Sequence, residues 1–347
     1  MTGVYNLPAS TSATALRTVT STEDGSGFMI VTCGEAVVDF LPETDPDGHP
    51  LFRPVLGGSL YNVALGLGRL GVPASYFWEL STDPFGTWFA RELEAAGVHL
   101  GALVRGTRPT PLAFVDLSGP EPHFQIVDAG AIMSSFDPAV AGSLPEGARV
   151  LHTGSAILAL EPGGAAIEAF ARAASEGVAI SLDFNVRPPS VSDREAYRAR
   201  LDRLVNVATI VKASAADLAF LEPDTPPEAF LDRWQAAGVS LAIVTMAERG
   251  VLAAAGDHRV RHPAVKLDLR DPVGAGDAFT TGMLARLWEL DRLARQTLAT
   301  IGEDELSAAL GHAQEVAAYV CRRPGAVFPW KADLAAERRR VGSALIA

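Results

Sequence analysis

Short unbroken apolar runs alternate along the chain with longer stretches in which apolar residues recur every three or four positions. The runs predict buried strands, and the spaced stretches predict amphipathic helices. Phe28–Cys33 is a strand ending at Gly34, and Ala36–Leu41 a second extended piece closed by Pro42. Leu51–Leu56 and Ala74–Leu80 also predict strands, and Pro111–Leu117 and His123–Val127 pair around a turn at Ser118–Glu121. Later strands fall at Arg149–His152, Val178–Asp183, Thr209–Lys212 and Leu241–Thr245. Helices are expected at Asn62–Leu70, stopped by Gly71, and at Phe85–Ala96, stopped by Gly97. Others follow at Ala165–Ser175, Asp193–Val207, Ala215–Leu221, Pro227–Ala237, Ala278–Leu290 and Glu303–Val320. The alternation predicts an α/β fold: a doubly wound, mostly parallel sheet flanked by helices, with ligands at the carboxyl ends of the strands. The strand-rich pieces near residues 36–56 and 111–127 break that rhythm. They are expected to form a small β-sheet lid on one body spanning residues 28–347.

Of 347 residues, 48% are hydrophobic, enough for a large core, and the formal net charge is −12. An acidic chain has no general attraction to nucleic acid or to anionic membranes, so any phosphate site must be local. Cys33 and Cys321 are the only cysteines, which excludes a disulfide framework and fits a reducing cytoplasm. No run of 18 apolar residues is present, so no membrane span is expected. Residues 1–27 are rich in Thr, Ser and Gly without a sustained apolar segment; they predict a flexible extension rather than a secretion signal.

The sharpest chemical feature is Asp271-Pro272-Val273-Gly274-Ala275-Gly276-Asp277, followed at once by a predicted helix. Small residues let the backbone approach a ligand, and a helix N-terminus turns free amides and a positive dipole end toward it. A carboxylate at such an anion hole can accept a proton from an attacking hydroxyl. A lone Asp before a helix is ordinarily just an N-cap; the full string, with a second Asp six positions earlier, is more specific.

The stretch from Asp271 to Gly282 resembles the C-terminal signature of ribokinase-like carbohydrate kinases, the phosphofructokinase B type. Other motifs follow in that family's order from about Phe28 to Trp330. Gly34-Glu35 and Asp39 resemble its first strand and sugar-binding Asp. Gly57-Gly58 with Asn62-Val63-Ala64 resemble the N-terminal signature, and Asp183 to Pro188 resembles the Asp-x-Asn-x-Arg stretch of fructokinases and ketodeoxygluconate kinases. Thr110 to Val115 and Leu151–Leu160 lean toward bacterial fructokinases. The resemblance implies an ATP-dependent transferase, acting on a sugar's primary hydroxyl, with Asp277 as base and the amides of Gly274, Ala275, Gly276 and Asp277 as the anion hole. It implies sugar contacts from Asp39, Gly57, Gly58, Asn62 and Arg187. It places Asn185, Lys212, Asp217, Thr245, Gly250 and Gln314 on the nucleotide side, with Mg2+. Potassium is implied at Asp271, with carbonyls near Val273, Val320, Arg323 and Gly325. Lids of this family often pair between subunits, which implies a homodimer.

Some positions depart from the family pattern. Leu60 and Tyr61 flank Asn62 where smaller residues are usual, Ser214-Ala215-Ala216-Asp217 stands for Asn-x-x-Glu, Ala247 replaces a Gly, and Gln314 an Asn. Read from the residues alone, Arg187 serves substrate, nucleotide phosphate or a structural carboxylate equally well. Lys212 fits a polar site or the surface, and Asp39 a sugar site or a strand end. Gly66-Leu67-Gly68-Arg69-Leu70-Gly71 matches a dinucleotide fingerprint, but its glycines end a helix instead of opening one. Fructose phosphorylation is the first reading. Another sugar, ketodeoxygluconate or a nucleoside is the alternative within this chemistry, and a non-catalytic sugar-binding regulator the alternative outside it.

Overall fold

The computed structural model describes residues 28–116, 123–128, 131–137 and 142–344. The extension expected at residues 1–27 and the turn expected at Ser118–Glu121 lie outside the described residues. In the main sheet β1 (Met29–Cys33) lies between β4 (Ala74–Tyr76) and β9 (Ala148–Gly154). Beyond β9 come β10 (Ala179–Asp183), β11 (Ile210–Ser214), β12 (Leu241–Thr245), β13 (Val251–Ala255) and β14 (His258–His262). Every pairing from β4 to β12 is parallel, and the last two are antiparallel.

Parallel strands buried on both faces need apolar residues at consecutive positions, which is why they read as unbroken runs. In β1, Ile30 enters one core and Val31 the other. The first core includes α1 (Ser59–Arg69), α7 (Ala275–Glu289) and α9 (Glu303–Cys321), with Val63, Leu67, Leu284 and Leu310 packed on Ile30 and Val150. The second is covered by α2 (Pro84–Ala95), α3 (Gly163–Ala174), α4 (Arg194–Val205), α5 (Ala215–Leu221) and α6 (Pro227–Ala236), through residues such as Phe89, Ile167, Leu204, Leu218 and Leu231. The short α8 (Arg295–Leu298) and the late α10 (Lys331–Ala344) complete the helices.

A separate four-stranded sheet has the order β3 (Pro50–Gly57), β2 (Val37–Thr44), β7 (Leu112–Asp116), β8 (His123–Val127). Phe40 ties it to the body by an edge-on contact with Phe85 of α2, ring centroids 5.9 Å apart. Asp83 both caps α2, accepting from Gly86 N at 2.7 Å, and holds Thr110 ahead of β7 through its amide and hydroxyl.

Several boundaries differ from the sequence expectation. β2 runs past Pro42, because Pro42 lies beyond the Val38–Phe40 stretch that pairs with β7 and only one edge of the strand is in use there. The expected strand Ala74–Leu80 is split: Phe77 and Trp78 turn off the main sheet, and β5 (Glu79–Ser81) pairs instead with β6 (Val104–Gly106). α7 starts at Ala275, three residues earlier than expected, because Gly274 adopts the left-handed conformation (φ 79°) that turns the loop into the helix. β13, β14 and α10 were not expected. β13 and β14 mix alanine with alternating charge, and α10 is too polar for an apolar stripe to stand out.

Candidate active site

The carboxyl ends of β1, β10 and β11 and the N-termini of α1 and α7 meet around Asp277. Its carboxylate, 6% exposed, accepts from Ser59 Oγ at 2.7 Å and from Asn62 Nδ2 at 2.8 Å. Asn185 Nδ2 donates to Ser59 Oγ at 2.9 Å and lies 3.5 Å from Asp277 Oδ1. Burial pushes the Asp277 carboxyl above its usual range, opposed by the Asn62 and Ser59 hydrogen bonds and by the Arg187 charge. A poised base of this kind can take a proton without being permanently paired. It occupies the first turn of α7, not the residue before the helix, so it is not the helix cap.

Ala275 N is satisfied by Pro272 O at 3.1 Å, and Ala278 N by Gly274 O at 2.8 Å. The first-turn amides of Gly276 and Asp277 have no acceptor within the helix and are directed at the site. Lys212 is buried and pairs with Asp183 at 2.6 Å, which excludes a surface role; a Cβ built on Gly276 would lie 3.7 Å from Lys212 Nζ. An ammonium thus sits beside the anion hole. Thr280 Oγ1 also donates to Asp183, at 3.2 Å.

On the other side, Asp39 in β2 lies against the Gly57 backbone, where a Cβ would overlap its carboxylate. Gly58 turns β3 into α1 at φ 100°, with its Cα against Glu35 O; a side chain there would overlap the Glu35 and Ala36 backbone. Burial raises the Asp39 carboxyl to about 7, countered by Arg187. Glu35, 2% exposed and also raised to about 7 by burial, has its Oε2 without a hydrogen-bond partner. Arg187 is exposed and donates from Nη1 to Asn185 Oδ1 at 2.5 Å and to the Val186 carbonyl at 3.3 Å.

Other expectations need correction. Asp217, within electrostatic reach of Asp183 and Lys212, accepts from Val186 N at 2.8 Å on Oδ1 and from Ser214 N at 2.7 Å on Oδ2, in a reciprocal cap of α5. One methylene shorter than Glu, it is consumed by its own helix start and by the loop bearing Asn185 and Arg187. Leu60 and Tyr61 are each 1% exposed: Leu60 fills the space above Gly34, and Tyr61 packs edge-on to Phe89 and Tyr76. They are core residues, not sugar contacts. Gln314 donates to Pro263 O at 2.9 Å, leaving a buried Oε1 unpaired. Thr245 ends β12; Gly250, after a tight turn, passes so close to His262 O that its missing side chain has a packing reason.

Asp271 joins two loops, accepting from Val273 N at 2.9 Å and Gly325 N at 2.7 Å. Val320 O accepts from Arg323 N and Gly325 O from Val327 N, both at 2.9 Å, and the Arg323 guanidinium lies over the Tyr319 ring. A carboxylate beside two carbonyl-rich turns suits a large monovalent cation. Among the described residues, the one three-residue group spaced for a metal is Asp45, Asp47 and His49, on the exposed hairpin turn between β2 and β3. No helix among the described residues is long and apolar enough to cross a membrane.

The pfkB family carbohydrate kinase profile matches residues 28–333. A fructokinase of Rhizobium leguminosarum bv. trifolii is 31% identical over 278 residues, 80% of this chain and 85% of that protein. The crystal structure of a Xylella fastidiosa fructokinase with bound ATP superposes with a TM-score of 0.82 at 25% identity, covering 91% of this chain and 99% of the other. A Vibrio cholerae O395 fructokinase double mutant, bound to fructose, ADP and potassium, gives 0.77 at 25% identity over 90% and 98%.

Proposed function

This chain belongs to the pfkB family of carbohydrate kinases and is an ATP-dependent sugar kinase, and from that premise we propose that it converts fructose to fructose 6-phosphate. The observation that carries this reading is the Asp277 carboxylate, buried at the first turn of α7 beside free helix amides and the Lys212 ammonium.

In this reading Asp277 takes the proton of the sugar's primary hydroxyl. The freed oxygen attacks the γ-phosphorus, the bond to the bridging oxygen breaks, and ADP leaves. The Gly276 and Asp277 amides and Lys212 stabilise charge on the transferring group. Bound Mg2+ would neutralise phosphate charge. The Asp271 carboxylate and the carbonyls of Val320 and Gly325 would hold potassium, whose charge would help fix the two loops they stand on. On the sugar side stand Asp39, Asn62 and Arg187. With Glu35, Asp39 and Asp277 around one guanidinium, the pocket favours a neutral polyhydroxy substrate over an acid such as ketodeoxygluconate, whose carboxylate would meet three others. Asp39 offers two acceptor oxygens for neighbouring hydroxyls. A homodimer paired through the small sheet belongs to the same reading, supported by the exposed Leu51 of that sheet.

The test is ADP release from MgATP across a panel of sugars, sugar acids and nucleosides, with and without potassium. Fructose-dependent turnover, weak with ketodeoxygluconate and adenosine, is the expected result. Turnover restricted to another acceptor would replace fructose and keep the phosphotransfer. ATP binding without turnover on any acceptor would leave a sugar-binding regulator.

A further inference from the structure

Among the described residues, Ser59 carries the one hydroxyl hydrogen-bonded to the Asp277 carboxylate, and its two contacts fix where its proton lies. Asn185 Nδ2 can only donate, so at 2.9 Å Ser59 Oγ is the acceptor. The Ser59 proton is then committed to Asp277 Oδ1, 2.7 Å away. The orientation of the Asn185 amide is fixed in turn by Arg187 Nη1, which donates to Asn185 Oδ1 at 2.5 Å. Arg187 Nη1 also reaches the Asn185 and Val186 carbonyls at 3.4 and 3.3 Å, and Asn185 Nδ2 lies 3.5 Å from Asp277 Oδ1, but the shortest contact of each donor leads to the next member of a series that runs from the exposed guanidinium to the buried carboxylate. Its middle member has an uncommon backbone: Asn185 sits at φ 38°, a region that Asn enters more readily than most residues. That conformation follows the end of β10, where Asp217 Oδ1 pins the next amide, Val186 N, at 2.8 Å. Ser59 itself is 6% exposed at the first position of α1, directly after the Gly58 turn.

We propose that Arg187, Asn185 and Ser59 form a polarised hydrogen-bond relay that positions the Asp277 carboxylate and holds it ionised, with Ser59 as the positioning residue that makes the final contact. The proposal rests on the reading of Asp277 as the base and assigns residues that reading does not need. The relay has a chemical purpose. Asp277 is surrounded by groups that discourage its ionisation: Asp183 at the end of β10, Glu35 just after β1 and Asp39 on β2. Against them stand Arg187, Asn62 and Lys212, the last neutralised by Asp183. A hydroxyl whose proton can go nowhere else favours the charged carboxylate. A polarised series of donors strengthens that preference in a low-dielectric site. The second oxygen, held by Asn62 alone, is then the one left to meet the sugar hydroxyl. Because Arg187 is exposed, anything that draws its guanidinium away weakens the relay and makes the carboxyl a weaker acid. Occupancy of the sugar side and readiness of the base are thereby linked.

The experiment follows the titration of Asp277 directly. The full-length protein is labelled with 13C-carboxyl aspartate, and its NMR titration is recorded for wild type, Ser59→Ala and Ser59→Thr, with Asp277→Asn to assign the resonance. Loss of the donor should raise the midpoint of Asp277 in Ser59→Ala by on the order of one pH unit. Ser59→Thr, which keeps the hydroxyl, should restore it. In parallel, the acid limb of kcat/KM for fructose and MgATP should move to higher pH by the same amount in Ser59→Ala. An unmoved Asp277 midpoint in a folded Ser59→Ala protein overturns the relay. A uniform loss of activity at every pH, with the midpoint unchanged, overturns it in favour of a packing role. The NMR arm needs no substrate, so a failure of the fructose reading is seen separately: Asp277→Asn would then retain turnover, or wild type would show none with fructose.

Discussion

At the scale of single residues, the site is a contest between burial and hydrogen bonding for each carboxyl group. Asp277 resolves it with two side-chain donors, at 2.7 and 2.8 Å, and stays available to accept a proton. Asp277→Asn keeps the shape and the acceptor oxygen for one donor but removes the basicity. It should fold normally and lose kcat by roughly 100- to 10,000-fold, the range for a positioned general base; near-normal kcat would remove Asp277 from that role. Glu35 resolves the contest differently. It has an unpaired oxygen and is pushed by burial to about 7. A carboxyl raised in the folded state disfavours folding once the unfolded chain ionises. The penalty is absent below the usual carboxylate range, grows as pH rises, and is complete above about pH 7, at ~3 kcal/mol in full. Glu35→Gln removes it, so the Tm difference between variant and wild type should be near zero at pH 4.5 and favour the variant at pH 8. Parallel Tm curves across that range would mean that Glu35 is not a strained acid. The string carrying Asp277 could be read from sequence because the loop, the amides and the carboxylate are contiguous. Ser59 could not, because its partner lies 218 residues away and a serine after a diglycine has no chemistry of its own until the fold closes.

At the scale of elements, helix starts do most of the positioning. α7 brings its first turn to the base, α1 brings Ser59 and Asn62 from the other side, and α5 secures the loop of Asn185 and Arg187 through Asp217. Asp217→Asn should replace one of two accepted amides by a mismatched donor. The expected loss is ~1–2 kcal/mol, read as a lower urea midpoint, with an unchanged Mg2+ half-saturation. The opposite pattern, unchanged stability and a weakened Mg2+ dependence, would return Asp217 to the nucleotide. Asn-x-x-Glu and Ser-x-x-Asp look alike as motifs, and the shorter side chain is what turns the carboxylate back onto its own helix. The same reasoning explains which elements could be read from sequence. The parallel strands and their helices bury full apolar faces and so carry a strong period. β13 and β14 form an antiparallel edge, and at Phe77 and Trp78 the chain passes from its β1 partner to β6 in the middle of a run whose composition alone suggests one continuous strand. By motif Leu60 and Tyr61 flank Asn62, whereas a helix buried nearly all round, as α1 is, turns both into the core.

At the scale of the whole molecule, the small sheet stands apart from the main one and carries Asp39 on one face. Side chains alternate across a strand, so that face also presents Leu41, Val55, Ala113, Ile126, the Arg53–Glu43 ion pair and, at its far end, Leu51. The opposite face, with Phe40, Phe114 and Phe52 in edge-on and stacked contact, is the one fastened to Phe85 of the body. The sheet is fastened through Phe40, and its exposed apolar residues Leu51 and Phe52 lie together at the far end of β3. Leu51 there is 38% exposed at the edge strand β3. Exposed apolar residues beside a free strand edge are a surface that proteins usually cover, and the occupant proposed for it is a second copy of the same sheet. Sedimentation of the wild-type chain at micromolar concentration should give twice 36.5 kDa. Leu51→Glu places a charge at that edge, on the face opposite the Phe40–Phe85 contact. It should shift the protein to monomer with an unchanged main-sheet Tm, and it should raise KM for the sugar more than it lowers kcat, since a sheet without its partner covers the sugar less completely. A wild type that sediments as a monomer, with Leu51→Glu kinetically silent, would mean that each sheet closes over its own site alone.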